Sequence, residues 1–293
     1  RSNNATSWAA LTRGLNSGNT SAAFSSVAAN GATWVAVAAS GWAARSINSG
    51  ATWTALPQGL NSGSTTANFR SVQRSGNTWV VVASTGHASR STDDGATWTA
   101  LPQGLNSGST TAQFVSVAAN STTWLAISQN GFYSKSIDDG VTWVAENSLK
   151  AVLSTFVALN VTADSEGNWL ICGQSAVMAK SIDNTATWTK LGISLAKIAA
   201  SGTTWVGLGT SGFAARSADN GESWADLPRG LNTDSQTVVF YDAAANGNTW
   251  IVVGDTGYVS KSIDDGLTWV WQIQGLNSGS TTANFRSVQR SGN

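Results

Sequence analysis

Histidine, cysteine and methionine occur once each in this 293-residue chain, and proline three times. A lone cysteine, Cys172, cannot close an internal disulfide, so cysteine usage leaves the redox compartment open. It lies in the apolar run Trp169-Leu170-Ile171-Cys172 and has no basic neighbour, which suits a buried inert thiol better than a nucleophile. With His87 alone there is no His/Cys/carboxylate cluster at metal-ligand spacing. Neither a metal nor a cofactor is expected.

Charge is scarce too: charged residues make up 11% of the chain and the formal net charge is zero. Nucleic acid needs a basic face to displace counterions, so no nucleic-acid partner is expected. An anionic bilayer needs a polybasic segment, and no apolar run is long enough for a spanning helix; no membrane insertion is expected. Residues 1–30 contain no signal-peptide core, and the sequence does not begin with Met, so a processed, trimmed or excised chain is expected. A surface rich in Ser, Thr, Asn, Ala and Gly suggests an exposed, sparsely charged shell, hence an extracellular or virion-surface location.

What the chain does contain is a repeat. A pattern Ser-x-Asp-x-Gly-x-Thr-Trp, or a worn copy of it, occurs seven times, ending at Trp8, Trp53, Trp98, Trp143, Trp188, Trp224 and Trp269. The spacing is 45 residues apart from one interval of 36. A period of that size, with two strand-like runs around each motif, is the signature of a repeated supersecondary unit. In the clearest copy, Phe69–Gln73 reads as strand A and the continuous β-branched run Trp79–Ala83 as strand B, buried on both faces. His87–Ser91 reads as strand C and Thr97–Leu101 as an alternating edge strand D. No segment keeps a helical period, so the fold is all-β.

The motif has a physical logic. A tight turn between strands C and D leaves backbone amides without ladder partners, and an Asp side chain bent over the turn accepts them. Those residues are Asp93, Asp138, Asp183, Asp219 and Asp264, with Asn48 and Asn3 in the first two copies. Glycine takes the positive-φ place, and the tryptophan covers the turn. Thr185 and Ala5 replace that glycine, which predicts two looser turns. A calcium loop is the other reading of the Asp-Asp-Gly triplets. Each copy supplies only one or two carboxylates and no downstream Glu, which is too few oxygens.

Carried by Ser91-Thr92-Asp93-Asp94-Gly95-Ala96-Thr97-Trp98 and its sister copies, the chain resembles the BNR or Asp-box repeat β-propellers along its whole length. The resemblance implies a single propeller domain, residues 1–293, of four-stranded antiparallel blades. Seven tryptophans predict seven blades, the seventh split between the termini and incomplete, because the chain falls short of seven repeats by the length of Thr78–Ser89. Six complete blades with redundant terminal strands is the alternative.

The family includes sialidases, xyloglucan-cleaving glycosidases, sortilin-type receptors and photosystem II assembly factors, and fold alone does not choose among them. A sialidase-like site implies an arginine triad and a Tyr–Glu pair. Here Phe69-Arg70-Ser71-Val72 recurs as Phe285-Arg286-Ser287-Val288, which marks a repeat feature, and Glu222 sits inside a turn motif. The weak candidates for a glycosidase pair are Asp242, on a predicted A strand, and Asp255, beside the Gly257 turn, since sister blades hold uncharged residues there.

Alternating strands place the motif turns and A–B turns at one end, and the B–C turns with the long D–A loops at the other. That second end carries Gln58–Gly63, repeated as Gln103–Gly108 and Gln274–Gly279, and the residues Trp42, His87, Phe132, Phe213 and Tyr258. These five, with Arg70 and Arg286, are the ligand-binding candidates. The packing reading of the aromatic set is preferred, because Val177 occupies the same place in one copy. The expected function is a non-enzymatic binding or structural module on an exposed assembly, a secreted adhesin or a phage component. Its ligand is a glycan or protein surface, with homo-oligomerisation or a larger assembly open. A glycan hydrolase and an assembly factor, with Arg70, Arg74, Arg286 and Arg290 as its basic patch, are the alternatives.

Overall fold

The computed structural model describes residues 2–3, 7–8, 10–11, 13–153, 157–173, 178–232, 238–272, 276 and 282–289. It holds six four-stranded antiparallel sheets, each with strands in the order A-B-C-D. Blade I is Phe24–Asn30, Thr33–Ala38, Ala43–Ser46 and Thr54–Ala55; blade II is Phe69–Ser75, Thr78–Ala83, Ala88–Ser91 and Thr99–Ala100. Blade III is Phe114–Asn120, Thr123–Ser128, Tyr133–Ser136 and Val144–Ala145; blade IV is Ala158–Ala163, Trp169–Gly173, Met178–Ser181 and Thr189–Leu191. Blade V is Lys197–Ser201, Thr204–Leu208, Ala214–Ser217 and Ala225–Asp226; blade VI is Phe240–Asn246, Thr249–Gly254, Val259–Ser262 and Val270–Trp271. Two compact units are distinguished. One is built on residues 13–194 and carries blades I to IV; the other comprises 195–290 with 1–12 and carries blades V and VI.

The seven-blade expectation is therefore corrected to six. Counting tryptophans counts C–D turns, and a turn is not a sheet. The first motif copy contributes only the two-residue strands Ser2–Asn3 and Ser7–Trp8, paired with each other. The last segment, 282–289, belongs to no sheet. Strand B shows why the six succeed: every residue of Thr78–Ala83 and of Thr123–Ser128 is buried, as the β-branched run requires.

The core lies between neighbouring blades of each unit. Ala28, Val35 and Val37 of blade I pack with Phe69, Val72, Trp79, Val81 and Trp98 of blade II. The same arrangement joins II to III, III to IV, and V to VI. A blade alone would leave both faces wet, so stability is a nearest-neighbour property.

Two local features were not expected. Asn147–Val152 is a short α-helix, capped by the Glu146 carboxylate accepting from Ser148 N–H at 2.9 Å. Strand A carries a bulge in five blades, at Ser25, Arg70, Val115, Leu159 and Tyr241. Among the described residues no helix is long and apolar enough to cross a membrane.

Candidate functional site

The turn motifs form as the sequence dictates. In blade II, Asp94 and Gly95 both take positive φ, 59° and 79°, and Ala96 N–H closes the turn on Asp93 O at 3.3 Å. Two consecutive left-handed residues make a type I′ hairpin turn, which explains Asp or Asn followed by Gly. Asp93 Oδ1 accepts from Ser91 Oγ at 2.8 Å and Thr97 N–H at 2.8 Å, and Oδ2 from Thr97 Oγ1 at 2.6 Å. Asp138, Asp183, Asp219 and Asp264 repeat this pattern. Bonds from Thr142 first, and from Ser136, hold Asp138 down at about 2, below the usual 3.8.

Thr185 does not open its turn: its N–H still reaches Ser181 Oγ at 2.9 Å, with φ at 74°. The looseness predicted for this copy is confined to two orphaned atoms, Thr185 Oγ1 and Trp188 Nε1. In the other described copies the indole N–H donates to the glycine carbonyl, as from Trp98 to Gly95 at 3.0 Å. In the first copy, Ala5 and the side chains of Asn3 and Trp8 lie outside the described residues.

Sequence reading missed the role of the residue after the turn carboxylate, which is acidic at Asp94, Asp139 and Asp265. Asp139 accepts from the Trp124 indole at 3.2 Å, while Arg90 of blade II donates Nε to Asp139 O at 2.8 Å and Nη2 to Oδ2 at 3.2 Å. Asp265 does the same with Trp250 and with Arg216 of blade V. These residues tie one blade to the next. The signal was present as a fixed 49-residue interval between cation and carboxylate, visible only once strand C of one blade is known to reach the C–D turn of the next.

The D–A loops are ties of the same kind. Gly59 takes φ +80°, and a Cβ there would meet Ser64 O at 2.2 Å, so only glycine fits. The turn delivers Asn61 Nδ2 to Trp98 O of the next blade at 2.9 Å; Asn16, Asn106 and Asn232 repeat the bond to Trp53, Trp143 and Trp269. Of Gln274–Gly279 only Leu276, which is buried, is described.

The five aromatic-set residues sit just before strand C, at the end shared with the D–A loops. Trp42, His87, Phe132 and Phe213 are half-buried. Trp42 lies against Gly18, Lys150 Nζ stands 5.5 Å above the Phe132 ring, and His87 Nδ1 is 3.1 Å from Thr85 Oγ1. Tyr258 is buried, with its hydroxyl donating to Gly230 O at 2.8 Å and its ring edge-on to Phe240. Val177 lies outside the described residues. Arg70 and Arg286 are exposed; Arg70 occupies a bulge, and Arg286 lies 5.1 Å over the ring of Tyr241, another bulge residue. Arg74 donates Nε to Ala29 O at 2.7 Å, and Arg290 lies outside the described residues.

The two carboxylates that depart from the repeat both hold backbone. Asp242 Oδ2 accepts from Ser287 Oγ at 2.9 Å and Val288 N–H at 3.0 Å, and Oδ1 is 3.7 Å from Lys197 Nζ. Asp255 Oδ1 accepts from Val239 N–H at 3.1 Å. Cys172 is fully buried in strand B of blade IV. Among the described residues, no group of three His, Cys, Asp or Glu side chains is arranged to hold a metal.

Neither a protein-family model nor a curated protein matches the sequence. Solved structures do. YCF48 bound to D1 peptide is similar over 92% of this chain and 85% of its own, at 18% identity and a TM-score of 0.70. YCF48 from Cyanidioschyzon merolae matches over 88% and 87%, at 16% identity and a TM-score of 0.64. The GH74 xyloglucanase from Xanthomonas campestris matches 86% of this chain but 45% of its own, at 13% identity and a TM-score of 0.64. At such identities the likeness shows the fold, a β-propeller, and the fold alone.

Proposed function

We propose that this chain is an Asp-box repeat propeller that acts as a non-enzymatic binding module for a protein partner, through the end where B–C turns meet D–A loops. The observation that carries this reading is the use made of Asp242 and Asp255. The two carboxylates that set blade VI apart are engaged by backbone amides of neighbouring segments, which is a framework role. Each unit carries half-exposed apolar side chains among polar loops at the B–C ends of its blades, Trp42 and Phe132 in one and Phe213 in the other, the mix that suits protein contact. The likeness to a propeller bound to a peptide supports a peptide or protein ligand over a glycan, and leaves the assembly-factor alternative as well supported as an adhesin or virion role.

The test is a pull-down from the native source with the wild-type chain and with Trp42→Ala and Phe213→Ala, both checked for an unchanged melting curve. A partner retained by the wild type and lost by either variant supports the reading. Hydrolysis of a xyloglucan or sialoside that disappears in Asp242→Asn or Asp255→Asn would replace it with the glycosidase reading.

A further inference from the structure

Among the hairpins that join strands C and D, two are unlike the rest. Just before the turn carboxylate, two places before the motif tryptophan and one place after it, blade III carries Ile137, Val141 and Val144, and blade VI carries Ile263, Leu267 and Val270. All six are exposed, from 57% at Val141 to 70% at Ile263. No other blade is apolar at all three places: Thr54, Thr99 and Thr189 take the last one in blades I, II and IV, and Glu222 takes the middle one in blade V. Folding does not ask for these side chains. Blade II has Thr92, Ala96 and Thr99 there, yet Asp93 accepts from Ser91 Oγ and Thr97 N–H at 2.8 Å, as Asp138 accepts from Ser136 and Thr142 at 2.8 Å.

These side chains flank an open edge. Strand D is the last strand of every sheet, and among the described residues no strand pairs with its outer side. Proteins commonly guard such an edge with charge. Blades IV and V do so with the exposed Lys190 and Asp226. The edge strands Val144–Ala145 and Val270–Trp271 carry no charge, and Trp271 is itself 49% exposed. An unguarded edge beside exposed Ile, Leu and Val is a site for strand addition.

We propose that the C–D hairpin of blade III is an interaction surface, and that its occupant is the C–D hairpin of blade VI on a second copy of this chain, strand D against strand D and antiparallel. Pairing Val144 with Val270 in that sense carries Trp271 towards the Ile137–Val141 turn, and the Ile263–Leu267 turn towards Ala145. The chain itself names the partner, because two blades depart from the repeat at the same three places. A hairpin that paired with its own kind would need one patch and leave the other without a use. The contact is heterologous, so copies join head to tail, as a closed ring or an open chain. Three and four side chains, exposed by half to seven-tenths, fall short of the ~1,200 Å² that stable complexes bury, so the association is weak and reversible. The surface shares no residue with the B–C end and does not depend on the function proposed there.

The test is sedimentation velocity of the 293-residue protein from ~10 μM to ~1 mM, where a mass that rises with concentration is expected. Val144→Lys and Val270→Lys each put a cation on one edge, and each is expected to weaken self-association at least about tenfold. Mixed together, one variant supplies an intact blade VI and the other an intact blade III, so a one-to-one pair that grows no further is expected. Thr99→Lys, at the same place in blade II, should associate as the wild type does. Melting curves should be unchanged, since the replaced side chains are exposed; should a lysine lower one, Val144→Thr and Val270→Thr, the residue of blades I, II and IV, take its place. A wild type that stays monomeric at ~1 mM overturns the proposal. Self-association that persists undiminished in either single variant would mean that another surface joins the copies, and a mixture that forms no pair would mean that the two hairpins do not meet; either overturns it.

Discussion

Replacing Thr185 by glycine is expected to stabilise the protein. Thr185 holds φ at 74° where the other described motifs have glycine, and a β-branched residue in that region is strained by about 1–2 kcal/mol. Its hydroxyl is buried without a partner, which costs about 1–3 kcal/mol, and the orphaned Trp188 indole adds a lost bond of about 1 kcal/mol. Against these stands the extra freedom of glycine in the unfolded chain, about 0.5–1 kcal/mol. Strain and orphan contributions overlap, because one small shift of the turn relieves both, so the net gain expected is ~2 kcal/mol. Urea unfolding followed by tryptophan fluorescence reads it as a higher midpoint at unchanged slope. The converse change, Gly140→Thr, places a Cβ 3.3 Å from Val80 Cγ2 and should lower the midpoint. A Thr185→Gly midpoint equal to or below wild type would refute the strain argument.

Trp98→Ala should cost about 3–5 kcal/mol, as the ring is 3% exposed between blades I and II; a midpoint within error of wild type would show that the cavity collapses freely. Asp93→Ala should cost about 0.5–1.5 kcal/mol, the net worth of an exposed hydrogen bond to the Thr97 amide, measured in the same assay. Ser49→Asp is expected to gain about 1 kcal/mol, because Ser49 stands where Asp94 receives the Trp79 indole and the equivalent Trp34 Nε1 is orphaned; Ser49→Ala, which offers no acceptor, should gain nothing. The pH dependence follows from the turn carboxylates. Asp138, Asp183, Asp219 and Asp264 are held at about 2, below 3.8, so the folded state binds protons less readily than the unfolded one. Their contribution is complete above pH 3.8 and is lost as pH falls towards 2. Melting temperature should drop across that window, and more gently in Asp138→Asn.

Strand identities were readable because each uses a different local rule. Strand B announces itself as a continuous β-branched run, the turn as Asp-Gly, and the D–A loop as Gln-Gly-Leu-Asn. Blade number was not readable in the same way. A motif copy at Trp8 and a strand A at Phe285 look like parts of a blade in sequence, yet a sheet requires strands B and C between them. The short helix 147–152 escaped notice because six residues hold less than two turns, too few for a period to appear. Among site residues, Asp242 was singled out for its departure from the repeat, and the departure is real. Its use, gripping Val288 where Ser26 grips Val72, depends on which strands adjoin. The bulge at Arg70 and Tyr241 likewise has no signature in the residues themselves, since the bulged position holds Ser, Arg, Val, Leu and Tyr in turn.

The ties from Asn61 to Trp98 and from Arg45 to Asp94 span 37 and 49 residues, and the same intervals recur one repeat later. Excising any 45-residue stretch between equivalent points of blades I to III would therefore leave the donors of these two ties facing equivalent acceptors: Arg45 would meet Asp139 as it now meets Asp94. Residues 50–67 and 95–112 are identical, so the corresponding coding segments are natural sites for unequal crossing-over. Local chemistry thus gives such recombination nothing to reject.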